Sequence, residues 1–209
     1  MTSPQDALNL LRQGNTRFVS GERAADVRGR QAERNKLVVE QHPFAVILGC
    51  SDSRAPVEII FDQGIGDLFV IRIAGNIVTP PTVGSVEFAA DRFGARLVVV
   101  LGHSDCGAVQ TTLDELHQPT EELSKNWSAV IDRIRPAVEG ILRTGLENDR
   151  GAQVQQAIRA NIRASARYLR NESAVLSRLI QEDALLVLGA EYSLETGVVD
   201  FFDGLPESG

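Results

Sequence analysis

Four short, continuous apolar runs constrain the fold of this chain more than any other feature of its sequence. They cover residues 44–49, 68–73, 97–101 and 184–188. Runs of this length that are apolar on both faces are typical of strands in a parallel sheet covered by helices. Residues 196–202 look like one more strand, for which a sheet edge is one option.

The segments between these runs have helical patterning. Residues 3–6 read Ser-Pro-Gln-Asp, a typical helix start, and the apolar spacing that follows predicts an amphipathic helix ending near Gly21. Further helices are expected at 31–40, 55–61, 83–93 and within 128–181, with a loop at 144–150. Strand–helix alternation predicts an α/β fold: a mostly parallel central sheet of four or five strands flanked by helices, with an N-terminal helical arm.

Length and composition limit the class of protein. The 209 residues, 43% of them hydrophobic, are enough for one buried core. We therefore expect a single domain over residues 1–209, with a helical arm at 1–40 and an α/β core at 41–209. A net charge of −7 argues against binding to nucleic acid. The absence of a long apolar stretch and of a secretory signal argues against a membrane span and favours a cytoplasmic location.

Reactive residues cluster directly after the first and third apolar runs. Cys50 stands in Gly49-Cys-Ser-Asp-Ser-Arg54, and His103 and Cys106 stand in Leu101-Gly-His-Ser-Asp-Cys-Gly107. Ligands of open parallel sheets collect at the carboxyl ends of the strands, so the two clusters can meet at one point. Two thiolates and one imidazole suit zinc, and three protein ligands with one exchangeable position indicate a catalytic site. Water bound there would become a hydroxide nucleophile.

Asp52 and Arg54 accompany this ligand set. In an extended segment alternate residues face the same way, so both side chains could address the site together with Cys50. Asp52 could ligate the zinc, or it could accept a proton from zinc-bound water. Arg54 could hold the carboxylate in a bidentate pair. The sequence thus predicts a switch in which Asp52 closes the site when it is on zinc and opens it when it is on Arg54.

Simpler roles compete with these interpretations. A lone free cysteine is usually a small buried hydrophobe, but two cysteines that share strand ends with His103 favour a metal. A disulfide or redox pair of the two cysteines would leave His103 and Arg54 without a role. His42 and His117 have no cysteine neighbours, so surface or capping roles are expected for them. For Asp105 we favour capping of the helix that starts beside Cys106.

Read together, Cys50-Ser-Asp-Ser-Arg54 and His103-Ser-Asp-Cys-Gly107 resemble the two signatures of the β-class carbonic anhydrases. The resemblance continues through four further stretches: Phe61-Asp-Gln-Gly, Gly66-Asp-Leu-Phe-Val, Arg72-Ile-Ala-Gly-Asn76 and Gly84-Ser-Val-Glu87. It implies a zinc lyase that reversibly hydrates carbon dioxide to bicarbonate and a proton by attack of zinc-bound hydroxide. The family's ligands fall on Cys50, His103 and Cys106, with one zinc ion per subunit and Asp52 as a conditional fourth ligand.

The resemblance also assigns substrate-binding residues and an assembly. Gln41 matches a glutamine that is contributed across a dimer interface, Phe69 and Phe88 match apolar pocket positions, and the amide of Gly107 would face the substrate oxygens. Ile47 replaces a tryptophan that belongs to an inhibitory bicarbonate site in one subgroup, so we expect that site to be absent or incomplete. The family implies a homodimer or homotetramer, in which the N-terminal helices wrap the partner.

Two other functions stay open at this stage. The same scaffold could hydrolyse a related heterocumulene such as carbonyl sulfide or carbon disulfide, because only access to the pocket distinguishes these substrates. Alternatively, the zinc could be structural or regulatory, which predicts a permanently closed site with four ligands and no solvent exchange at the metal.

Overall fold

The computed structural model describes residues 2–22, 37–120, 123–143, 149–182 and 184–206. Its centre is a five-stranded sheet in the order β2-β1-β3-β4-β5. The first four strands pair in parallel, and β5 pairs antiparallel to β4 at one edge. Their bounds are Ala45–Gly49 for β1, Leu68–Arg72 for β2, Leu97–His103 for β3, Leu186–Tyr192 for β4 and Val199–Asp203 for β5.

The predicted strands are confirmed, although several of their ends shift. β3 continues beyond residue 101 to His103, because its last residues pair with Glu191 and Tyr192 of β4. β4 starts at Leu186 and not at 184, since the backbone N–H of Ala184 is still bonded to the helix that precedes it. The fifth predicted strand, β5, occupies an edge and begins three residues later than predicted, at Val199.

Seven helices flank the sheet within the described residues. They are α1 (Pro4–Ser20), α2 (Val57–Ile60), α3 (Pro80–Arg92), α4 (Gly107–His117), α5 (Lys125–Val138), α6 (Arg150–Asn171) and α7 (Ala174–Gln181). Short 3-10 turns occupy Ala74–Asn76 and Glu139–Arg143. Most of the predicted helix at 31–40 and of the predicted loop at 144–150 lies outside the described residues.

Local sequence explains where these helices begin and end. The Ser3 hydroxyl accepts a hydrogen bond from the Asp6 amide, and Gly21 closes α1 in a left-handed conformation, as its sequence predicts. α3 begins at Pro80, ahead of the predicted residue 83, because Thr79 and Thr82 form a capping box and proline fits the first turn. The predicted helix at 55–61 is reduced to the single turn α2.

The sheet separates two hydrophobic layers. Val46, Leu48, Val98 and Val100 face a core that is covered by α3 to α7. The alternate residues of β1 and β3 face a second core with α1 and α2. β1 and β3 are therefore buried along their whole length, and their carboxyl ends emerge side by side. Within the described residues no helix has the length and apolar character needed to cross a membrane.

A buried asparagine connects α1 to the rest of the fold. Asn15 Nδ2 donates to the carbonyls of Ile60, at 3.2 Å, and Gly197, at 2.9 Å. Its Oδ1 accepts from the Val199 amide at 2.9 Å. One side chain thus joins α1 to α2 and to the start of β5.

We predict that Asn15→Ala destabilises the fold by about 1–3 kcal/mol, because buried backbone groups lose their partners. Asn9→Ala is the matched control: Asn9 lies on the same helix but is exposed, and we expect a change within about 0.5 kcal/mol. Urea unfolding of both variants measures the difference. Equal effects of the two substitutions would contradict the connecting role of Asn15.

Candidate metal centre

The pairing of two central strands brings the predicted ligands together. Gly49, the last residue of β1, pairs with Leu101 of β3. Cys50 follows β1 directly, His103 is the last residue of β3, and Cys106 immediately precedes α4. The Sγ atoms of the two cysteines and a ring nitrogen of His103 all lie within 4.8 Å of one another. The convergence that the sequence predicts is therefore present.

The hydrogen bonds of His103 leave one ring nitrogen available to a metal. Nδ1 lies 2.8 Å from the carbonyl oxygen of Ser104, which can only accept a hydrogen bond, so Nδ1 carries the proton. Nε2 is buried, and no described residue offers it a hydrogen bond. A buried polar atom without a partner is costly unless something binds it. Because Cys50 and Cys106 stand close by, a cation bound by all three residues would satisfy Nε2.

The two thiols share a proton. Both cysteines are free and buried. A hydrogen bond from Cys106, opposed by burial, lowers the pKa of Cys50 to about 4. The same hydrogen bond, together with burial, raises the pKa of Cys106 above its usual range. Without a metal the pair therefore holds one proton and one negative charge, and a cation is needed for both sulfurs to be thiolates.

Asp52 and Arg54 meet through a turn and not through an extended segment. Asp52 Oδ1 accepts from the Arg54 amide at 2.9 Å, and its backbone carbonyl accepts from Ala55. The aspartate side chain therefore bonds its own backbone two residues on, a local preference that overrides extension. The expectation of alternating side chains was wrong, yet the turn brings the two side chains face to face.

The contact between Asp52 and Arg54 is bidentate. Arg54 Nε donates to Oδ1 at 3.0 Å and Nη2 donates to Oδ2 at 2.8 Å. Oδ2 also lies 3.9 Å from His103 Nε2, beside the ligand set. The Arg54 hydrogen bonds keep the pKa of Asp52 far below its usual value, so the carboxylate stays ionised. In this structure the Asp52 carboxylate is thus bound to Arg54 and lies next to the three predicted zinc ligands.

Arg72 is a site residue whose role the sequence did not reveal. Its Nε donates to the Cys50 carbonyl at 2.9 Å, and its Nη2 donates to the Asp52 carbonyl. It thus fixes the backbone on both sides of Ser51 from the end of β2. Arg72 was quoted only as part of a family motif; its position at the end of a strand next to β1 was the available signal.

Gly75 completes the surroundings of Cys50. Its amide donates to Cys50 Sγ at 3.4 Å, and its backbone has a φ of 67°. That φ strains any other residue, and a Cβ there would also come within 2.7 Å of the Ile134 side chain, so the position favours glycine. From α6, the buried side chain of Asn161 donates to the Gly75 carbonyl at 2.8 Å. Asn161, far away in sequence, was also missed.

The other predicted site residues differ in how far they are exposed to solvent. Gln41 is exposed in the segment before β1. Phe69 is half-buried on β2, and its ring centroid lies 6.2 Å from that of Phe88, which is 52% exposed on α3. Gly107 is exposed and opens α4 directly after Cys106.

Asp105 does not cap α4 as we had expected. Cys106 occupies the N-cap position and no side-chain hydrogen bond caps the helix. Asp105 has a positive φ of 54°, and its carbonyl accepts from Arg54 Nη2 at 3.2 Å. The left-handed conformation of Asp105 redirects the chain from β3 into α4.

His42, for which a surface role was expected, is exposed and pairs with Glu40.

Comparison with known proteins identifies the family. The sequence model described as "Carbonic anhydrase" matches residues 45–199. The chain belongs to the β-class carbonic anhydrases. It is 36% identical to carbonic anhydrase 2 of Mycobacterium tuberculosis, over 94% of this chain and 91% of that protein. It is 32% identical to the carbonic anhydrase of Mycolicibacterium smegmatis, over 100% of this chain and 98% of that protein. The β-carbonic anhydrase CafA of Aspergillus fumigatus superimposes with a TM-score of 0.74 at 26% identity, over 83% of this chain and 81% of that one.

The cofactor of the β-class carbonic anhydrases is zinc, and the residues of this chain fit it. The group consists of two cysteine sulfurs and a histidine nitrogen, the soft donors that zinc prefers. Nε2 of His103 lacks a partner, and the thiol pair needs a cation to lose its second proton. Cys50, His103 and Cys106 are the residues that would hold the ion.

We predict that the zinc affinity of the metal-free protein rises with pH through the neutral range. Burial lowers the pKa of His103, but its interaction with the neighbouring Cys50 thiolate outweighs burial, so the pKa lies above its usual value. His103 must therefore lose a proton to bind zinc at mildly acidic pH, and Cys106 must lose one throughout. Competition with a chromogenic chelator at several pH values measures the affinity.

Calorimetry in two buffers of different ionisation enthalpy counts the protons released, which we expect to be about one to two per zinc near neutral pH. Cys106→Ser is the control: it should bind zinc more weakly and release fewer protons. An affinity that does not change with pH would contradict this account of the three ligands.

Proposed function

We propose that this chain catalyses the reversible hydration of carbon dioxide to bicarbonate and a proton, with one zinc ion per subunit held by Cys50, His103 and Cys106. The observation that carries the proposal is the buried group of three ligands with an ionised Asp–Arg pair beside it. Zinc, when bound, supplies a Lewis acid that makes water a nucleophile near neutral pH. Three protein ligands leave one position open, which favours a catalytic role over a structural one.

Asp52 is the residue that we expect to handle the proton. Because Arg54 keeps it ionised, its carboxylate can accept a hydrogen bond but cannot donate one. The position of Oδ2, 3.9 Å from His103 Nε2, supports a role as acceptor for the hydrogen of the reacting water. Such a hydrogen bond would leave an oxygen lone pair free to attack carbon dioxide. Arg54 thus acts indirectly, since it keeps Asp52 both charged and off the metal.

We infer that carbon dioxide occupies an apolar pocket near Phe69 and Phe88. Phe69 supports this role because it packs against the hydrophobic layer that contains both cysteines. The Gly107 amide is in the first turn of α4, where backbone N–H groups have no partner within the helix and can face substrate oxygens. Gln41 is exposed in its own chain, which suits a residue that enters the site of a neighbouring subunit.

We also propose a homodimer or homotetramer. The support is an exposed aromatic surface beside the edge strand β2: Phe88 packs edge-on against Phe93 at 5.3 Å, yet half of Phe88 remains uncovered. Aromatic side chains at an open sheet edge are a common site of association. The cytoplasmic location stays a prediction from the sequence.

Activity provides the test of the proposed function. We expect the zinc-loaded chain to hydrate carbon dioxide in a stopped-flow assay with a pH indicator, and the zinc-free chain not to. Asp52→Asn should keep its zinc but lose roughly 10²- to 10⁴-fold in kcat, because the amide offers the reacting water no charged acceptor.

The matched control is Asp91→Asn, which removes an exposed acid on α3 and should leave kcat unchanged. An inactive zinc-loaded wild type would overturn the proposal. Full activity of Asp52→Asn above neutral pH would remove only Asp52 from the mechanism. Assays with carbonyl sulfide and carbon disulfide show whether the pocket admits a heterocumulene.

We predict that Phe88→Asp lowers the molar mass in sedimentation-velocity experiments to that of a smaller assembly, because a charge on this surface opposes its burial. Leu205→Asp, also at an exposed apolar residue, is the control and should keep the wild-type mass. A wild type that sediments as a monomer at micromolar concentration would contradict the proposed assembly.

A further inference from the structure

A cavity lies between α5 and α6, and Cys50, His103 and Cys106 do not line it. It is an open groove of about 670 Å³. Arginines line it from both helices: Arg133 from α5, and Arg163 and Arg167 from α6. The zinc chemistry described above uses none of them.

The charge of α6 is unusual for this protein. The helix spans Arg150–Asn171 and contains five arginines but no aspartate or glutamate, whereas the whole chain has a net charge of −7. Arginines at positions 159, 163 and 167 follow one another at four-residue spacing. Like charges at this spacing destabilise a helix by a few tenths of a kcal/mol per pair. The pattern therefore costs stability unless anions compensate it.

Carboxylates on β5 compensate the first arginine of this row but not the other two. Arg159 pairs with Asp200, and Arg170, which is outside the row, pairs with Asp203. Arg163 instead packs over the ring of Phe202, with 4.8 Å between Cζ and the ring centroid. Among the described residues neither Arg163 nor Arg167 has a carboxylate partner. The two arginines of this row that lack a carboxylate partner are therefore the two that line the groove.

The opposite wall adds to the positive charge. Arg133 is exposed and likewise has no carboxylate partner among the described residues. The one acid that lines the groove is Asp132, whose Oδ1 lies 3.7 Å from Arg135 Nε. Three guanidinium groups therefore face one carboxylate that already has a partner.

The remaining lining suits the organic part of a ligand. Pro136 and Ala137 on α5 and Ala160 and Ala164 on α6 give the walls apolar surface and leave space between the helices. Tyr168, 37% exposed at the rim, offers a hydroxyl group. Guanidinium groups bind phosphates and carboxylates through paired hydrogen bonds. The groove therefore offers several guanidinium donors around an apolar surface.

We propose that the α5–α6 groove binds a small organic polyanion, a molecule with at least two phosphate or carboxylate groups. Arg163 and Arg167 on one wall and Arg133 on the other bind its anionic groups. None of the three predicted zinc ligands lines the groove, and the proposal does not depend on the activity proposed above.

The test is isothermal titration calorimetry of the zinc-loaded protein with pyrophosphate and, separately, with citrate, at ionic strength matched with sodium chloride. We expect saturable binding of at least one probe with one site per chain. Binding of pyrophosphate alone identifies a phosphate ligand, and binding of citrate alone identifies a carboxylate ligand. Zinc content measured after each titration shows that the probe has not removed the metal.

Substitutions locate the binding. The double variant with Arg163→Gln and Arg167→Gln should weaken binding roughly tenfold or more, since charge-assisted hydrogen bonds are lost. Arg92→Gln, an exposed arginine on α3, is the matched control and should change the affinity less than about twofold. If the double variant does not fold, Arg133→Gln alone tests the opposite wall and should also weaken binding.

Three results would overturn the proposal. The first is that neither probe shows saturable binding. The second is that Arg92→Gln weakens binding as much as the groove variants do, which would show general attraction to a surface charge. The third is binding that the groove variants leave unchanged, because it places the anion elsewhere, for example at the metal.

Discussion

The parallel pairing of β1 with β3 is the interaction on which the rest of the structure depends. Gly49 pairs with Leu101, so Cys50 lies one residue and His103 two residues beyond this pair, and the chain delivers both to one place. Every residue of both strands is buried. A slip of one residue would move each side chain to the opposite face of the sheet. Burial of apolar side chains on both faces therefore fixes the register, and the register fixes the metal ligands.

Around this pairing, two of the three ligands, Cys50 and His103, are held by groups that are already part of the fold. The Ser104 carbonyl sets the tautomer of His103, the Gly75 amide contacts Cys50 Sγ, and Arg72 holds the carbonyls on either side of Ser51. None of these bonds needs a metal. The fold itself thus restricts these two ligands, which reduces the conformational entropy lost on zinc binding.

Sequence reasoning could predict those parts of the molecule that are local or periodic. The strands follow from continuous apolar runs, and the cap of α1 follows from Ser3 and Asp6. Long-range hydrogen bonds leave no such pattern. Asn161 reaches Gly75 across 86 positions, and nothing in the polar–apolar pattern of α6 distinguishes it from a surface asparagine. Competing local interactions explain other misses: the segment after Cys50 forms a turn because the Asp52 side chain bonds its own backbone.

The position of Asp52 shows how the predicted switch would have to operate. Its carboxylate stays ionised because of Arg54, so protonation cannot release it from either partner in the neutral range. A change of state must instead exchange the bidentate contact with Arg54 for a contact on the metal side, where Oδ2 is already 3.9 Å from His103 Nε2. Arg54 also donates to the Asp105 carbonyl, which holds it in place. Ile47, where one subgroup of the family has tryptophan, is fully buried in the layer under α1 and α2. With that side chain buried in the core, the balance between the two predicted states would rest on the competition between Arg54 and the metal for one carboxylate.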